Sequence, residues 1–417
     1  MKTWFDKARF GMFIHWGHSS TQGWELSWPL VGGVFSLPYC QNVPVETYHR
    51  NAATFNPTQY NPKDWARLAK RLGMQYVVFT AKHHDGFALF HTQQSDFSIQ
   101  QTPYQKDIVR EFVEAMRSEG LGVGLYFSLI DWHHPDYPAF TEDNKPYQFN
   151  NLPQPTPQQW ERYLQFMFAQ IRELLTNYGQ INLLWFDGSW ERSPEQWRAK
   201  DLEKMIRELQ PHILINDRLP NCGDFETPEQ FIPPLPPSHR WETCLTINES
   251  WGYNVEDENF KSVRELIHCL CEVAGKGGNL LLNVSPMGNG SIPPELRERL
   301  KGIETWMSQY SETILETEPG LEPWQFYGTS TRRGNQIYLH LLMKPYETIK
   351  VRGIPIKRVQ SVFALPTGQS LEYSQRCAII DSLVNPDPEG ELTIVIPESV
   401  VNNYATVIGI ELKESPE

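Results

Sequence analysis

Asp187 closes the run INLLWFDGSW, Ile181 to Trp190, with Trp185, Phe186 and Trp190 around it. A buried parallel strand reads as a near-continuous apolar run. A carboxylate at the end of one, set among aromatic rings, is placed for chemistry rather than packing. Aromatic faces bind the apolar faces of sugar rings, and a carboxylate beside them can attack an anomeric carbon. The combination points to glycoside hydrolysis.

Other apolar runs also end in polar groups. GMFI runs into His15, Trp16 and Gly17, and YVVFTAK into His83, His84 and Asp85. VGLYFSL carries Tyr126 and Ser128 and runs into Asp131 and Trp132. HILI ends at Asn216, Asp217 and Arg218, and NLLL at Asn283. In a (β/α) barrel the active site is built at the C-terminal strand ends, so these groups converge on one rim. Three His, an Arg, a Tyr, an Asn and Trp rings make a hydrogen-bonding cup with stacking faces. A phosphate site would want a Gly-rich loop opening a helix. GKGG at 275–278 precedes a strand and reads as a helix C-terminal turn. A second reading makes His15, His18, His83, His84 and Asp187 zinc ligands. Against it, the HxH spacing of such ligands is missing, and adjacent strand residues point to opposite faces. His133 and His134 read as rim residues.

The elements that must position these groups are βα units over residues 1 to about 315. Expected strands are Gly11–Ile14, Gln75–Thr80, Gly122–Ser128, Ile181–Phe186, Ile213–Ile215, Thr243–Ile247 and Asn279–Val284. Expected helices are Pro62–Leu72, Asp107–Glu119, Pro157–Tyr178, Pro194–Leu209, Glu256–Ala274 and Pro294–Tyr310, several opened by Pro or an acid. Seven strands are counted and an eighth is not located. Beyond residue 320, NQIYLHLLM, ETIKVRGI, QSVFAL, LTIVIP and YATVIGIEL read as turn-punctuated strands without intervening helices. The expected fold is α/β: an irregular (β/α)8-like TIM barrel over 1–318, a linker at Thr317–Pro323, and an antiparallel β-sandwich over 324–417.

The 417 residues carry a formal charge of −13, which argues against nucleic acid and anionic membranes as partners. Most of the 14 Trp belong to the core; the surplus directs attention to a sugar site. Six Cys, at 40, 222, 244, 269, 271 and 377, form neither a zinc knuckle nor a disulfide framework. MKTWFDKARFG lacks an apolar signal region, so a cytoplasmic protein is expected, secreted or periplasmic if a leader was removed. No cofactor or metal is expected, and the oligomeric state is not legible.

The blocks WFDKARFGMFIHWG, AKHHDGF, GVGLYFSLIDW, LLWFDG, INDR, WETCLTINESWGYN and KGGNLLLNVSPMGNGSIP, in that order, closely resemble glycoside hydrolase family 29, the retaining α-L-fucosidases. The resemblance implies an exo-acting enzyme releasing terminal α-linked L-fucose from oligosaccharides or glycoconjugates. It makes Asp187 the nucleophile, and has His15, His83, His84, Tyr126 and Arg218 hold the sugar. Trp251 would face the C6 methyl. Glu25 and Trp28, in WELSW, match a Glu and Trp of the family's sugar site.

The general acid/base implied is Glu229 in the TPE turn, with Glu226, Glu242 and Glu249 open as alternatives. Asp85 and Asp217 are expected to orient His84 and Arg218. The TPE and SWGYN blocks lean toward the branch selective for α-1,3/1,4 linkages. Two other readings stay open: a fucose-binding protein without catalysis on a hydrolase scaffold, and a metal-dependent barrel hydrolase using His15, His83 and His84.

Overall fold

Seven strands that are buried along nearly their whole length form one parallel sheet: β1 (Phe10–Ile14), β2 (Tyr76–Lys82), β3 (Gly122–Ser128), β4 (Leu183–Asp187), β5 (Leu214–Ile215), β6 (Glu242–Thr246) and β7 (Asn279–Val284). The computed structural model describes residues 3–33, 41–148 and 153–414; Cys40 lies outside them. The sheet order is β5-β4-β3-β2-β1-β7-β6, so β5 and β6 are its two edges.

Between those edges runs the segment 224–230, which pairs with both through isolated parallel bridges. Asn216 meets Phe225, Glu226 meets Trp241 and Glu229 meets Cys244. The Asp224 N–H donates to Ile215 O (2.7 Å), and the Cys244 N–H to Pro228 O (3.1 Å). This stretch takes the place of the eighth strand. Its sequence, DFETPEQ, has neither an apolar run nor alternation, which is why no strand was legible there.

The helices pack their apolar faces on the sheet. Pro157–Asn177 starts at a capping box, Thr156 with Gln159, and buries Tyr163, Leu164, Met167, Ile171, Leu174 and Leu175. Two helices begin later than expected. The one expected from Glu256 starts at Val263, where Ser262 accepts the Glu265 N–H and sets the cap. Before it, Asp257 captures the backbone N–H groups of Glu249 and Asn259, which holds a turn instead. The one expected from Pro194 starts at Ala199, because Arg198 lies in the left-handed region at φ 48. The turn ahead of it buries Trp197, whose indole donates to Ser189 O (2.9 Å).

After the barrel, two antiparallel sheets face each other over a second apolar core. The six-stranded one runs through Val359–Ala364, Thr406–Leu412, Gln336–Leu341 and Thr329–Arg333, the three-stranded one through Thr348–Pro355, Glu389–Val395 and Tyr373–Arg376. Two details differ from expectation. The stretch read as a linker contains the short edge strand Glu318–Pro319, paired with Thr331 and Arg332. A helix, Ile379–Val384, interrupts the strands. The Trp306 indole donates to Ala405 O (3.2 Å), and His268 Nε2 lies 2.8 Å from Tyr404 O, so barrel helices seat the sandwich directly. Among the described residues no helix is long and apolar enough to cross a membrane.

Candidate active site

Asp187 is the last residue of β4, and its side chain is 14 % exposed at the C-terminal rim. Gly188 follows at φ 79, where an added Cβ would lie 2.8 Å from Ile130, so the sharp turn off the strand requires glycine. Asp187 Oδ1 accepts from Arg218 Nη1 at 3.0 Å, and Oδ2 from the Tyr126 hydroxyl at 2.9 Å. Arg218, three residues beyond β5, turns its other Nη to Glu229 Oε2 at 2.7 Å. One guanidinium therefore spans the carboxylates of Asp187 and Glu229. Burial alone would lower the Arg218 pKa; the charges of Asp187 and Glu229 outweigh it and raise it.

Thr227 supports that fork. Its hydroxyl accepts from Arg218 Nε (3.2 Å) and donates to Asp217 Oδ1 (2.5 Å), so Asp217 reaches Arg218 through a threonine rather than directly. Arg218 also lies over the Trp185 ring, 5.1 Å from its centroid.

The three sequence-selected histidines meet around Tyr126. His83 stacks on the Tyr126 ring at 5.5 Å and 11°, His15 approaches it edge-on at 5.4 Å, and the His83 and His84 rings are 4.1 Å apart. His84 Nδ1 lies 2.7 Å from Ser128 Oγ, and that hydroxyl donates to Ile130 O. Ser128 must then accept from His84, which places the ring proton on Nδ1. His84 Nε2 is left as an acceptor 3.7 Å from Asp187 Oδ2, buried and without a hydrogen-bond partner.

The same logic fixes His15. Asn283 donates to Trp251 O (2.7 Å), so its Oδ1 faces His15 Nδ1 (2.7 Å) and accepts the proton there. Burial pushes His15 down to about 4 and His84 to about 3, and moves His83 well below the ordinary imidazole value. All three rings are neutral near pH 7, and at least two present a bare Nε2 suited to accept a hydroxyl.

Asp85, expected behind His84, instead accepts from Tyr48 OH (2.9 Å) and the Phe87 N–H (3.0 Å), with His18 Nε2 at 3.3 Å. Ser128, marked in the sequence only as a polar group near a strand end, does the orienting. Ser27, on His83 Nδ1, was unmarked in the sequence. Buried serines are recognisable as supports only once strand pairing is known.

The aromatic walls are Trp28, half-buried with its ring 5.4 Å from His84, Trp190, 5.4 Å from His84 on another side, and Trp251, 5.0 Å from His15. Glu25 is buried, and its two oxygens accept the backbone N–H groups of Trp251 (2.7 Å) and Gly252 (2.8 Å), tying the WELSW loop to the Trp251 loop. Burial, opposed by those two donors, raises its carboxyl to about 8.

The alternatives to Glu229 are placed differently. Glu242 is fully buried beneath Trp185, whereas Glu249 is exposed and bonded to Asn259. His133 stacks on Phe97 at 3.9 Å and His134 packs on Phe166 at 4.4 Å, both away from Asp187 and its partners. Among the described residues, no three His, Cys, Asp or Glu side chains form a set able to hold a metal ion.

A family model described as Alpha-L-fucosidase matches residues 1–312. An alpha-L-fucosidase of Dictyostelium discoideum is 29% identical over 386 residues, covering 85% of this chain and 80% of that protein. The tissue alpha-L-fucosidase of Bos taurus is 30% identical over 371 residues, 83% of this chain and 75% of that one. Among solved structures, alpha-L-fucosidase isoenzyme 1 from Paenibacillus thiaminolyticus superposes with a TM-score of 0.86 at 37% identity, over 99% and 98% of the two chains. An alpha-L-fucosidase of glycoside hydrolase family 29 from Bacteroides thetaiotaomicron superposes with a TM-score of 0.83 at 27% identity, over 98% and 95%. That structure is a trapped covalent intermediate with 2-fluoro-fucosyl fluoride in a glutamate-to-glutamine mutant. The chain belongs to the alpha-L-fucosidase family, and it is a glycosidase.

Proposed function

We propose, from membership of the alpha-L-fucosidase family, that this chain releases terminal α-linked L-fucose by retaining double displacement, with Asp187 as nucleophile and Glu229 as acid/base. The observation that carries the reading is the Arg218 fork, which holds both carboxylates on one planar group. The covalent intermediate of the Bacteroides thetaiotaomicron relative, trapped by removing a glutamate's acidity, supports a two-step route.

In the first step an Asp187 oxygen bonds to the anomeric carbon while Glu229, which enters this step protonated, passes its proton to the glycosidic oxygen as its bond breaks; Arg218 then pairs with the Glu229 carboxylate so formed. In the second, water attacks the same carbon, gives its proton to Glu229, and Asp187 departs with the electrons of the ester bond. Tyr126 and Arg218 each hold one Asp187 oxygen, fixing which lone pair faces the sugar. Glu229 is 39 % exposed against 14 % for Asp187, which suits a proton donor facing the leaving group and a nucleophile beneath the ring.

His15, His83 and His84 accept fucose hydroxyls at their neutral nitrogens, and contacts that tighten as positive charge grows on the ring lower the barrier. Trp251 receives the C6 methyl. A competing sugar with a hydroxyl there would bury it unpaired. The TPE and SWGYN blocks support a preference for α-1,3/1,4-linked fucose on branched acceptors.

Asp187→Gly is expected to abolish turnover of aryl α-L-fucosides while fucose still binds, and azide to restore turnover to Glu229→Ala. Near-normal turnover by Asp187→Gly would remove the nucleophile assignment. A panel of fucosylated trisaccharides, read for released fucose, tests the linkage preference.

A further inference from the structure

Glu242 opens β6 with its side chain inside the barrel, 0 % exposed. Its Oε1 accepts from the Trp185 indole N–H at 3.1 Å and its Oε2 from the Tyr76 hydroxyl. Tyr76 is on β2, Trp185 on β4 and Glu242 on β6, so one carboxyl ties three alternate strands, the set that builds one interior layer of such a barrel. An apolar side chain would fill the layer without the cost of burying a carboxyl. Burial, opposed by the Tyr76 and Trp185 hydrogen bonds, pushes this one up to about 7.

What the layer supports is the catalytic pair. The Trp185 indole stacks on Tyr126 at 5.7 Å and 19°, and its face carries the Arg218 guanidinium at 5.1 Å. Tyr126 and Arg218 are the two groups bonded to Asp187, and Arg218 also bonds Glu229. The indole N–H is the one polar handle by which the ring's tilt can be set, and Glu242 holds it. Trp185 is itself only 2 % exposed, so Glu242 lies one buried layer below the groups bonded to Asp187.

We propose that Glu242 is a positioning residue for the reaction: by fixing the Trp185 ring it sets Tyr126 and Arg218, and through them the nucleophile and the acid/base. The inference rests on the assignment of Asp187 and Glu229. It predicts a loss in turnover rather than in sugar recognition, because the histidines that accept hydroxyls are oriented by Ser27, Ser128 and Asn283 instead.

The test measures kcat on an aryl α-L-fucoside and the inhibition constant of free fucose for Glu242→Leu, Glu242→Gln, Trp185→Phe and the Leu/Phe double variant. Glu242→Leu should lower kcat about tenfold or more with the fucose constant little changed, and Glu242→Gln, which keeps an acceptor, should regain most of the loss. Trp185→Phe should reproduce the defect, and the double variant should be no worse than the poorer single one, since both break the same link. If Glu242→Leu fails to fold, Glu242→Gln and Trp185→Phe carry the comparison. Near-normal kcat in Trp185→Phe, or losses that multiply in the double variant, would overturn the inference and leave Glu229 in place. Azide rescue of Glu242→Ala but not of Glu229→Ala would instead overturn the acid/base assignment.

Discussion

Replacing Arg218 by Met tests the catalytic geometry most directly. The guanidinium donates to Asp187 at 3.0 Å and to Glu229 at 2.7 Å, while methionine keeps most of the volume over Trp185 and none of the donors. A hydrogen bond to a charged partner contributes about 1.5–3 kcal/mol, and that range fits the largely buried Asp187 half. Glu229 is 39 % exposed, so solvent screening brings its half down to about 1 kcal/mol. If both contacts persist into the transition state, their removal costs about 2.5–4 kcal/mol, roughly a hundred- to a thousandfold in kcat/KM. Arg218→Lys should fall in between, because a compact ammonium keeps the charge but cannot reach both carboxylates. The assay is steady-state hydrolysis of an aryl α-L-fucoside, with thermal unfolding as a check on folding. A folded Arg218→Met within about tenfold of the parent enzyme would refute the idea that this fork organises the reaction.

The buried ionisable groups predict a stability maximum on the mildly acidic side. Glu25 and Glu242 bind their protons more tightly when folded, at about 8 and about 7 against 4.5, so the stability they contribute is complete below about 4.5 and is lost progressively as pH rises from there through 7 to 8. His15 and His84 are depressed to about 4 and about 3 from 6.5, so their share is present above 6.5 and is lost as pH falls toward 4. Tm should therefore be highest at mildly acidic pH, about 4.5–6.5 where the two effects offset each other, and Glu25→Gln or Glu242→Gln should flatten the fall on the alkaline side; an unchanged alkaline slope in both variants counts against these shifts. For selectivity, Trp251→Ala should narrow the preference for α-L-fucoside over α-L-galactoside by about tenfold or more, since one group in an apolar pocket is commonly worth about 1–3 kcal/mol. An unchanged ratio of kcat/KM would place the methyl elsewhere.

Sequence patterning exposed what lies on regular strands. Asp187, His15, His83 and Tyr126 stand out because a strand buried on both faces tolerates only apolar side chains, so each polar one is conspicuous. The supports' roles were hidden even where the residue itself was visible, as Ser128 was. Ser128 and Ser27 are small and common, and their partners lie 44 and 56 residues away. Glu25 reads as a sugar ligand by family pattern, yet it holds backbone N–H groups 226 and 227 residues distant, a contact no local pattern encodes. Asp85 follows His84 directly, but both sit in the turn closed by the Gly86 N–H on His83 O, which sends Asp85 to His18 and Tyr48 instead. The start of the helix at Val263 was legible in principle, since Ser262 and Glu265 have the spacing of a cap, but the acidic run before it looked equally helical.

The two carboxylates proposed for catalysis, Asp187 and Glu229, are anchored with unequal firmness. Asp187 ends a ladder locked by neighbours on both sides, where insertion of a single residue would flip every following side chain. Glu229 rides on the segment 224–230, which meets β6 at two isolated bridges in one register and β5 at a third, with Pro228 interrupting the ladder because it has no N–H to donate. If Asp187 and Glu229 act as proposed, the freedom to move lies with the carboxylate facing the departing group, while the nucleophile stays fixed.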